Sequence, residues 1–436
     1  MNTYSMLLKN KLKDIIKDMA SVPWLFSKCP KKDFTRNRKL NFETLINMIL
    51  SMGSQSLHHE LVTYFGYHPS TPSTSAFVQQ RGKILPSAFE FLLSEFTNSL
   101  DGLKDLNGYR LLAVDGTDLS ITHNPEEVDT YRHPHSEKGF NSLHLNAMYD
   151  LCNKLYVDAI VQPARKRNEY RALNDMVDRS IIQGNVIVMA DRGYESYNVF
   201  EHIRQKGWNY IIRVKDIHSS GIMAKRKPKG KVEFDETFSI MLTRRQTKEI
   251  KLHPEIYQFL PNNCTFDFLD PNAKELYPLT FRAIRFQLSE GTYETIITNL
   301  DPNEFSTDKI KHLYHLRWGI ETSFRELKYA IGLTYFHTKK VEYICQEIFA
   351  GLIMYNFCEK ITLYVIIEQK DTQHKYQANF TAAIRICRHF YKSHDNIHPP
   401  DVEALIRKNI LPVRYGRSDP RKVRTKVAVS FNYRIA

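Results

Sequence analysis

The sequence predicts an α/β protein: a mixed-sheet core, a β-rich insertion within that core, and an all-helical region ahead of it. Three stretches carry this reading. Residues 5–100 repeat apolar positions at helical spacing and pause at glycines. Residues 108–216 run strand-strand-strand-helix-strand-helix-strand. Residues 215–300 are polar and strand-patterned. At 436 residues the chain is long enough for two or three domains, or for one elaborated core.

In the helical region, "FETLINMILSMG" ends at Gly53 and "SLHHELVTYFG" at Gly66. "HPSTPSTSAFVQQRGKI" then gives a Pro/Ser/Thr turn and a short helix with Gln79, Gln80, Arg81 and Lys83. That pattern suits a helix-turn-helix DNA reader, and equally an ordinary bundle with a wet face. "GYRLLAVDGTDLSI" opens the sheet. "SLHLNAMYDL" and "KLYVDAIVQ", joined at Cys152–Asn153, read as a hairpin. "NEYRALNDMVDRSI" is an amphipathic helix, "NVIVMADRGY" a buried strand, "SYNVFEHIRQKG" a helix closed by Gly207, and "WNYIIRVKD" a strand. "KVEFDETFSIML", "LTFRAIRFQL" and "TYETIITNL" make up the insertion, with the basic loop "AKRKPKGK" at 224–231. Helices follow over 314–328, 341–368 and 377–393. The expected divisions are 1–104 (DNA-binding helices), 105–214 and 301–395 (core), 215–300 (insertion) and 396–436 (basic tail).

The net charge of +13 favours a polyanionic partner, nucleic acid being the commonest. From Arg407 onward there are nine Lys/Arg against one acid, Asp419. The six cysteines have neither CxxC nor Cys/His ligand spacing, which argues against a zinc site or a disulfide framework and fits a reducing cytoplasm. The segment "MNTYSMLLKNKLKDIIKDMA" contains acids and no continuous apolar run, so it does not read as a signal peptide. "FAGLIMYNFCEKITLYVII" is interrupted by Asn356, Glu359 and Lys360 and reads as a buried helix, not a membrane span. His133–Pro134–His135 reads as a solvent loop.

Two strands end alike: "LLAVDG" at Asp115 and Gly116, "VIVMADRG" at Asp191 and Gly193. A carboxylate at the carboxyl end of a buried strand, followed by glycine, lies where the backbone leaves room for a ligand. Either aspartate alone is more simply a turn former. On a helical wheel of the 314–328 stretch, Tyr314, Arg317, Glu321 and Lys328 fall within about 60° of one another. They border the apolar stripe of Leu313, Leu316, Ile320, Phe324, Leu327 and Ile331. Glu326 falls on the side expected to be solvated. A hard divalent cation such as magnesium takes oxygen ligands, and two together can drive phosphodiester displacement. Two aspartates and one glutamate supply such a set, Arg317 and Lys328 can hold phosphates, and Tyr314 can hydrogen-bond one.

The spacing Tyr314-x2-Arg317-x3-Glu321-x6-Lys328, with "VDGT" and "ADRGY", resembles the insertion-sequence-4 type DDE transposases over most of the chain. The resemblance implies an RNase H-like core with catalytic, metal-holding Asp115, Asp191 and Glu321, and phosphate-binding Tyr314, Arg317 and Lys328. It implies a cytoplasmic prokaryotic enzyme that binds the inverted-repeat ends of a mobile element, cuts them with Mg²⁺ (or Mn²⁺ as a substitute), and joins the 3′ hydroxyl to target DNA. A homodimer on double-stranded DNA, away from membranes, is expected. Some relatives stack a flipped base on a Trp of the insertion; the corresponding strand has Tyr293. Asp118 is an alternative ligand to Asp115. A catalytically silent or repurposed DNA-binding protein of the same fold is the alternative function, and a plain nuclease a third.

Overall fold

The structure is a computed structural model. It describes residues 3–413 except 134–138, 225, 227, 229, 366, 368–374 and 394–398. Helices α1 (Thr3–Ser21), α2 (Phe42–Ser51), α3 (Leu57–Tyr64), α4 (Thr74–Arg81) and α5 (Ser87–Asn98) come first. Strands β1 (Arg110–Ile121), β2 (Tyr131–Arg132), β3 (Phe140–Asp150) and β4 (Leu155–Pro163) follow. Then come α6 (Glu169–Arg179), β5 (Val186–Ala190), α7 (Tyr197–Gln205) and β6 (Asn209–Val214). The next stretch holds β7 (Phe234–Thr243), α8 (Lys248–Leu252), β8 (Tyr257–Phe259), β9 (Tyr277–Ser289) and β10 (Thr292–Thr298). Helices α9 (Thr307–Leu316), α10 (Trp318–Glu326) and α11 (Val341–Tyr364) lead to β11 (Tyr376–Ala378), α12 (Phe380–Lys392), α13 (Val402–Lys408) and β12 (Ile410–Pro412).

One sheet organises the chain. Its order is β2-β3-β1-β5-β6-β10-β9-β7-β8, with β4 paired to β3. Strands β1, β5 and β6 run parallel at its centre. Val186–Ala190 is buried throughout, as expected of a strand covered on both faces. The strands of 215–300 do not form a layer of their own. They extend the main sheet through the antiparallel β6–β10 pair.

Residue parity sorts the two faces. Leu112, Val114, Val188 and Ala190 pack with Leu173 and Val177 of α6 and Val199 and Phe200 of α7. Leu111, Ile187 and Met189 pack with Ile310 and Leu313 of α9, and Ala113 lies in the cluster that holds Ile320 and Phe324 of α10. Helix α11 is buried continuously from Gln346 to Ile361 and shares that cluster with α1, α2 and α5. The N-terminal helices therefore share a core with the face of the sheet that carries α10.

Three expectations about cations change. Arg81 is fully buried; it donates to Gln346, Glu347 and the Tyr343 carbonyl and is not available to DNA. Arg226 of the 224–231 loop is also buried, on the Ile222 carbonyl and Gln258. Part of the supposed tail, 402–408, is helix α13, while Arg414 to Ala436 lie outside the described residues. Among the described residues, no helix is long and apolar enough to cross a membrane.

Candidate active site

The parallel pairing of β1 with β5 ends at Val114↔Ala190, and the next residues are Asp115 and Asp191. Asp115 is not at the end of its strand, as the sequence suggested. β1 continues to Ile121 because β3 still pairs with it, Asp115 opposite Ala147. The two aspartates come to neighbouring positions because the two parallel strands part there. By parity, both side chains leave the sheet on the face covered by α9 and α10. In each case the backbone N–H of the following glycine donates to the aspartate Oδ1, Gly116 at 2.8 Å and Gly193 at 2.7 Å.

The helix over these aspartates is interrupted twice. α9 gives way to α10 at Arg317, which keeps helical dihedrals (φ −50°, ψ −32°), so Tyr314, Arg317 and Glu321 stay on one strip. Residues Leu327–Ile331 then form a π-helical turn, closed by Gly332 in the left-handed region at φ 104°. Arg317 Nη2 donates to Glu321 Oε1 at 2.9 Å, and Arg317 Nη1 lies 3.8 Å from Asp115 Oδ2. Lys328, on the π turn, donates to Thr117 Oγ1 at 2.6 Å. Strand and helix are thus tied at "DGT". Thr117 was not singled out from the sequence, although it lay inside that motif.

The site is polar beyond what the protein itself satisfies. Arg317 Nε and Nη1 and the Tyr314 hydroxyl are buried and have no hydrogen-bond partner. Burial pushes Tyr314 up to about 12. Burial pushes the Asp115 carboxyl up to about 6, with the Asp191 and Glu321 charges adding to it against Gly116 and Arg317. Among the described residues no group of three or more His, Cys, Asp or Glu is already arranged to hold a metal ion; Arg317 stands between Asp115 and Glu321. The donor chemistry still fits a hard divalent cation. The donors are all oxygen, and positive charge among them would offset the burial, and the smaller repulsion, that raise Asp115.

Beside the strip, Arg213, Lys311, Tyr314, His315, Arg317 and Trp318 help line a cavity of about 330 Å³. A larger one, about 510 Å³ beside Tyr109, Phe305 and His312, contains none of the candidate residues. Tyr293, on β10, lies under the Arg285 guanidinium at 3.9 Å. Glu326 corrects the wheel. It is half-buried, accepts from Tyr355 of α11 at 2.9 Å, and its carboxyl is pushed up by burial. The exposed side holds Trp318, Thr322, Arg325 and Tyr329 instead, because α11 covers a second side of this helix. Asp118 lies on β1 but opposite in parity to Asp115 and bonds His144 at 2.6 Å.

The sequence model of the transposase DDE domain matches residues 106–357. The chain belongs to that family. It is a metal-dependent enzyme of DNA transposition, and all six candidate residues of this DDE transposase lie inside the matched region. Divalent cations serve the family, in keeping with the all-oxygen donor set. A structure of a piggyBac transposase synaptic complex with hairpin DNA is similar, at 10% identity and a TM-score of 0.46 over 93% of this chain and 81% of that one. No curated protein matches the transposase.

Proposed function

We propose that this transposase binds the inverted-repeat ends of a mobile element, cleaves them, and joins the 3′ hydroxyl to target DNA, using an RNase H-like core of the insertion-sequence-4 type. The observation that carries it is the placement of Asp115 and Asp191 at neighbouring positions, where two parallel strands part, with Arg317 of the helix above bonded to Glu321 and 3.8 Å from Asp115. Asp115, Asp191 and Glu321 would hold Mg²⁺, or Mn²⁺ in its place. Such ions, when bound, help activate an attacking oxygen and stabilise a leaving one. Arg317 has two unsatisfied nitrogens for a phosphate, and the orphan Tyr314 hydroxyl can donate to the same group. Lys328 holds Thr117 and so braces the strand beside Asp115; a phosphate could compete for its ammonium.

DNA outside the site would meet the N-terminal helices. Lys31, Lys32, Arg36, Arg38 and Lys83 line a basic concavity of about 380 Å³ there. Two element ends have to be processed, and a homodimer would supply one site for each. The test uses DNA carrying the inverted repeats that flank the gene. Asp115→Asn, Asp191→Asn and Glu321→Gln should each lower cleavage by about a thousandfold or more while end binding persists. EDTA should stop the wild type, and Mg²⁺ or Mn²⁺ should restore it. Cleavage by Glu321→Gln, or cleavage in excess EDTA, overturns the mechanism; wild-type protein that binds ends but never cuts them supports the silent-remnant reading.

A further inference from the structure

The catalytic aspartates face α9 and α10, and what lies behind them has no role in the function proposed so far. Gly116 has the opposite parity to Asp115 and points to the α6 face. A Cβ there would collide with His144 Nε2 and come 3.0 Å from Glu169 Oε1. A Cβ on Gly193 would come 3.5 Å from Glu169 Oε2. The two oxygens of one carboxylate therefore lie against both glycines that follow the catalytic aspartates. Gly116 is required there by this close approach.

Glu169 is held in that position from several sides. It is the first residue of α6, just after the Asn168 cap, whose side chain accepts from Arg171 N. Asn168 N donates to Gln162 at the end of β4, and Asn146 of β3 donates to the same Gln162 oxygen, so the helix start is tied to the sheet. The Glu169 carboxylate lies 2.9 Å from His144 Nε2, within ion-pair range but not aligned for a hydrogen bond, and 3.2 Å from Arg167 Nη2. His144 Nδ1 bonds Asp118 at 2.6 Å, and Arg167 Nη1 stands 4.0 Å from the same Asp118 oxygen. Two carboxylates, the Arg167 guanidinium and the His144 imidazole close into a ring; His144 is 2% exposed, while Arg167 reaches the surface. Burying His144 and the inner ends of two carboxylates is costly, and apolar replacement of such buried groups is often neutral for stability alone.

A second observation lies just after Asp191. Tyr194, three residues after Asp191, is 1% exposed and its hydroxyl has no partner. Its backbone N–H donates to the Asp191 carbonyl at 3.1 Å, so this unsatisfied hydroxyl belongs to the turn that carries Asp191.

We propose that Glu169 is a positioning residue of the catalytic centre: lodged behind Gly116 and Gly193 and fixed by His144, Arg167 and Asp118, it sets the placement of the turns that carry Asp115 and Asp191. The proposal rests on the carboxylate site assigned above. Outer groups of this kind change metal affinity or activity by about 10–100-fold when removed.

The experiment compares Glu169→Gln with wild type and with Asp175→Asn, an exposed carboxylate on the same helix. Each is assayed for end-DNA binding, cleavage, melting in EDTA, and the Mn²⁺ concentration giving half the cation-induced melting shift. Glu169→Gln should bind ends within about twofold of wild type, need about 10–100-fold more Mn²⁺, and lose a similar factor in cleavage. Asp175→Asn should match wild type. A lower melting point with an unchanged Mn²⁺ midpoint and unchanged cleavage overturns the proposal, since that is what a structural ion cluster predicts. If Glu169→Gln does not fold, Glu169→Asp decides on the same readouts, because it keeps the charge and withdraws the carboxylate by one methylene. Asp115→Asn run alongside separates the two levels. If it cleaves like wild type, the function falls and this inference with it. If it is inactive while Glu169→Gln is normal, only the inference falls.

Discussion

Arg81 and Arg317 are both buried beside carboxylates, and they are built to opposite ends. Arg81 of α4 places Nε on Gln346, Nη1 on Glu347 and Nη2 on the Tyr343 carbonyl, all on α11. Glu347 in turn accepts from the backbone N–H of His337 and bonds its ring. Burial alone would push the Glu347 carboxyl up, but His337 and Arg81 pull it down to about 2. Arg317 is almost as deeply buried, yet one nitrogen bonds Glu321 while two have no partner, and neighbouring Asp115 is pushed up to about 6. A closed network is what stability selects, because a buried donor without an acceptor costs about 1–3 kcal/mol. An open network in a cleft is tolerable where something else completes it, and DNA phosphate with a cation would do so here.

The comparison breaks most sharply under matched substitutions. Arg81→Met should cost about 3 kcal/mol or more, since it strands Glu347 and Gln346 in the core. Arg317→Met should change stability by less than about 1 kcal/mol but lower cleavage by about a hundredfold or more. Urea denaturation and single-turnover cleavage of both variants decide this; equal stability losses would erase the distinction.

The two carboxyls should also respond to pH with opposite sign. Asp115 has a folded value of about 6 against an ordinary 3.8, so the unfolded chain releases its proton first as pH rises. The cation-free protein therefore loses stability between about pH 4 and pH 6. Asp115→Asn should exceed wild type by about 1–2 kcal/mol at pH 7, and the gap should close near pH 4. Glu347 runs the other way, at about 2 against an ordinary 4.5. Its contribution is present above about pH 4.5 and fades as pH falls toward 2, so the deficit of Glu347→Gln should shrink in acid. Urea titrations in EDTA across this range test both signs.

The smallest effect sharpens the helix itself. Glu326→Ala removes the acceptor of the Tyr355 hydroxyl and should cost about 1 kcal/mol with cleavage retained. Glu321→Ala should do the reverse. If Glu326→Ala also lost cleavage, the strip of Tyr314, Arg317 and Glu321 would not be the boundary of the site.

The sequence by itself determined the order of the central strands and helices, and it singled out the spacing and the two aspartates on which the proposed site rests. These rest on local physics: periodicity, glycine stops, and apolar runs that only a sheet covered on both faces can bury. It could not decide which side of a helix faces water, because a wheel orders residues without saying what packs on them; α11 covers the Glu326 side, and Arg81 of α4 turns inward to the same helix. It could not tell the faces of β1 and β5 apart either, since a run that is apolar at every position has no alternation to read. That is why Asp118 looked like a rival to Asp115 although its parity sends it to the other face. Only the tertiary structure brought Glu169 to Gly116 and Gly193, because their contact joins segments distant in sequence and, at Gly116, depends on a missing Cβ.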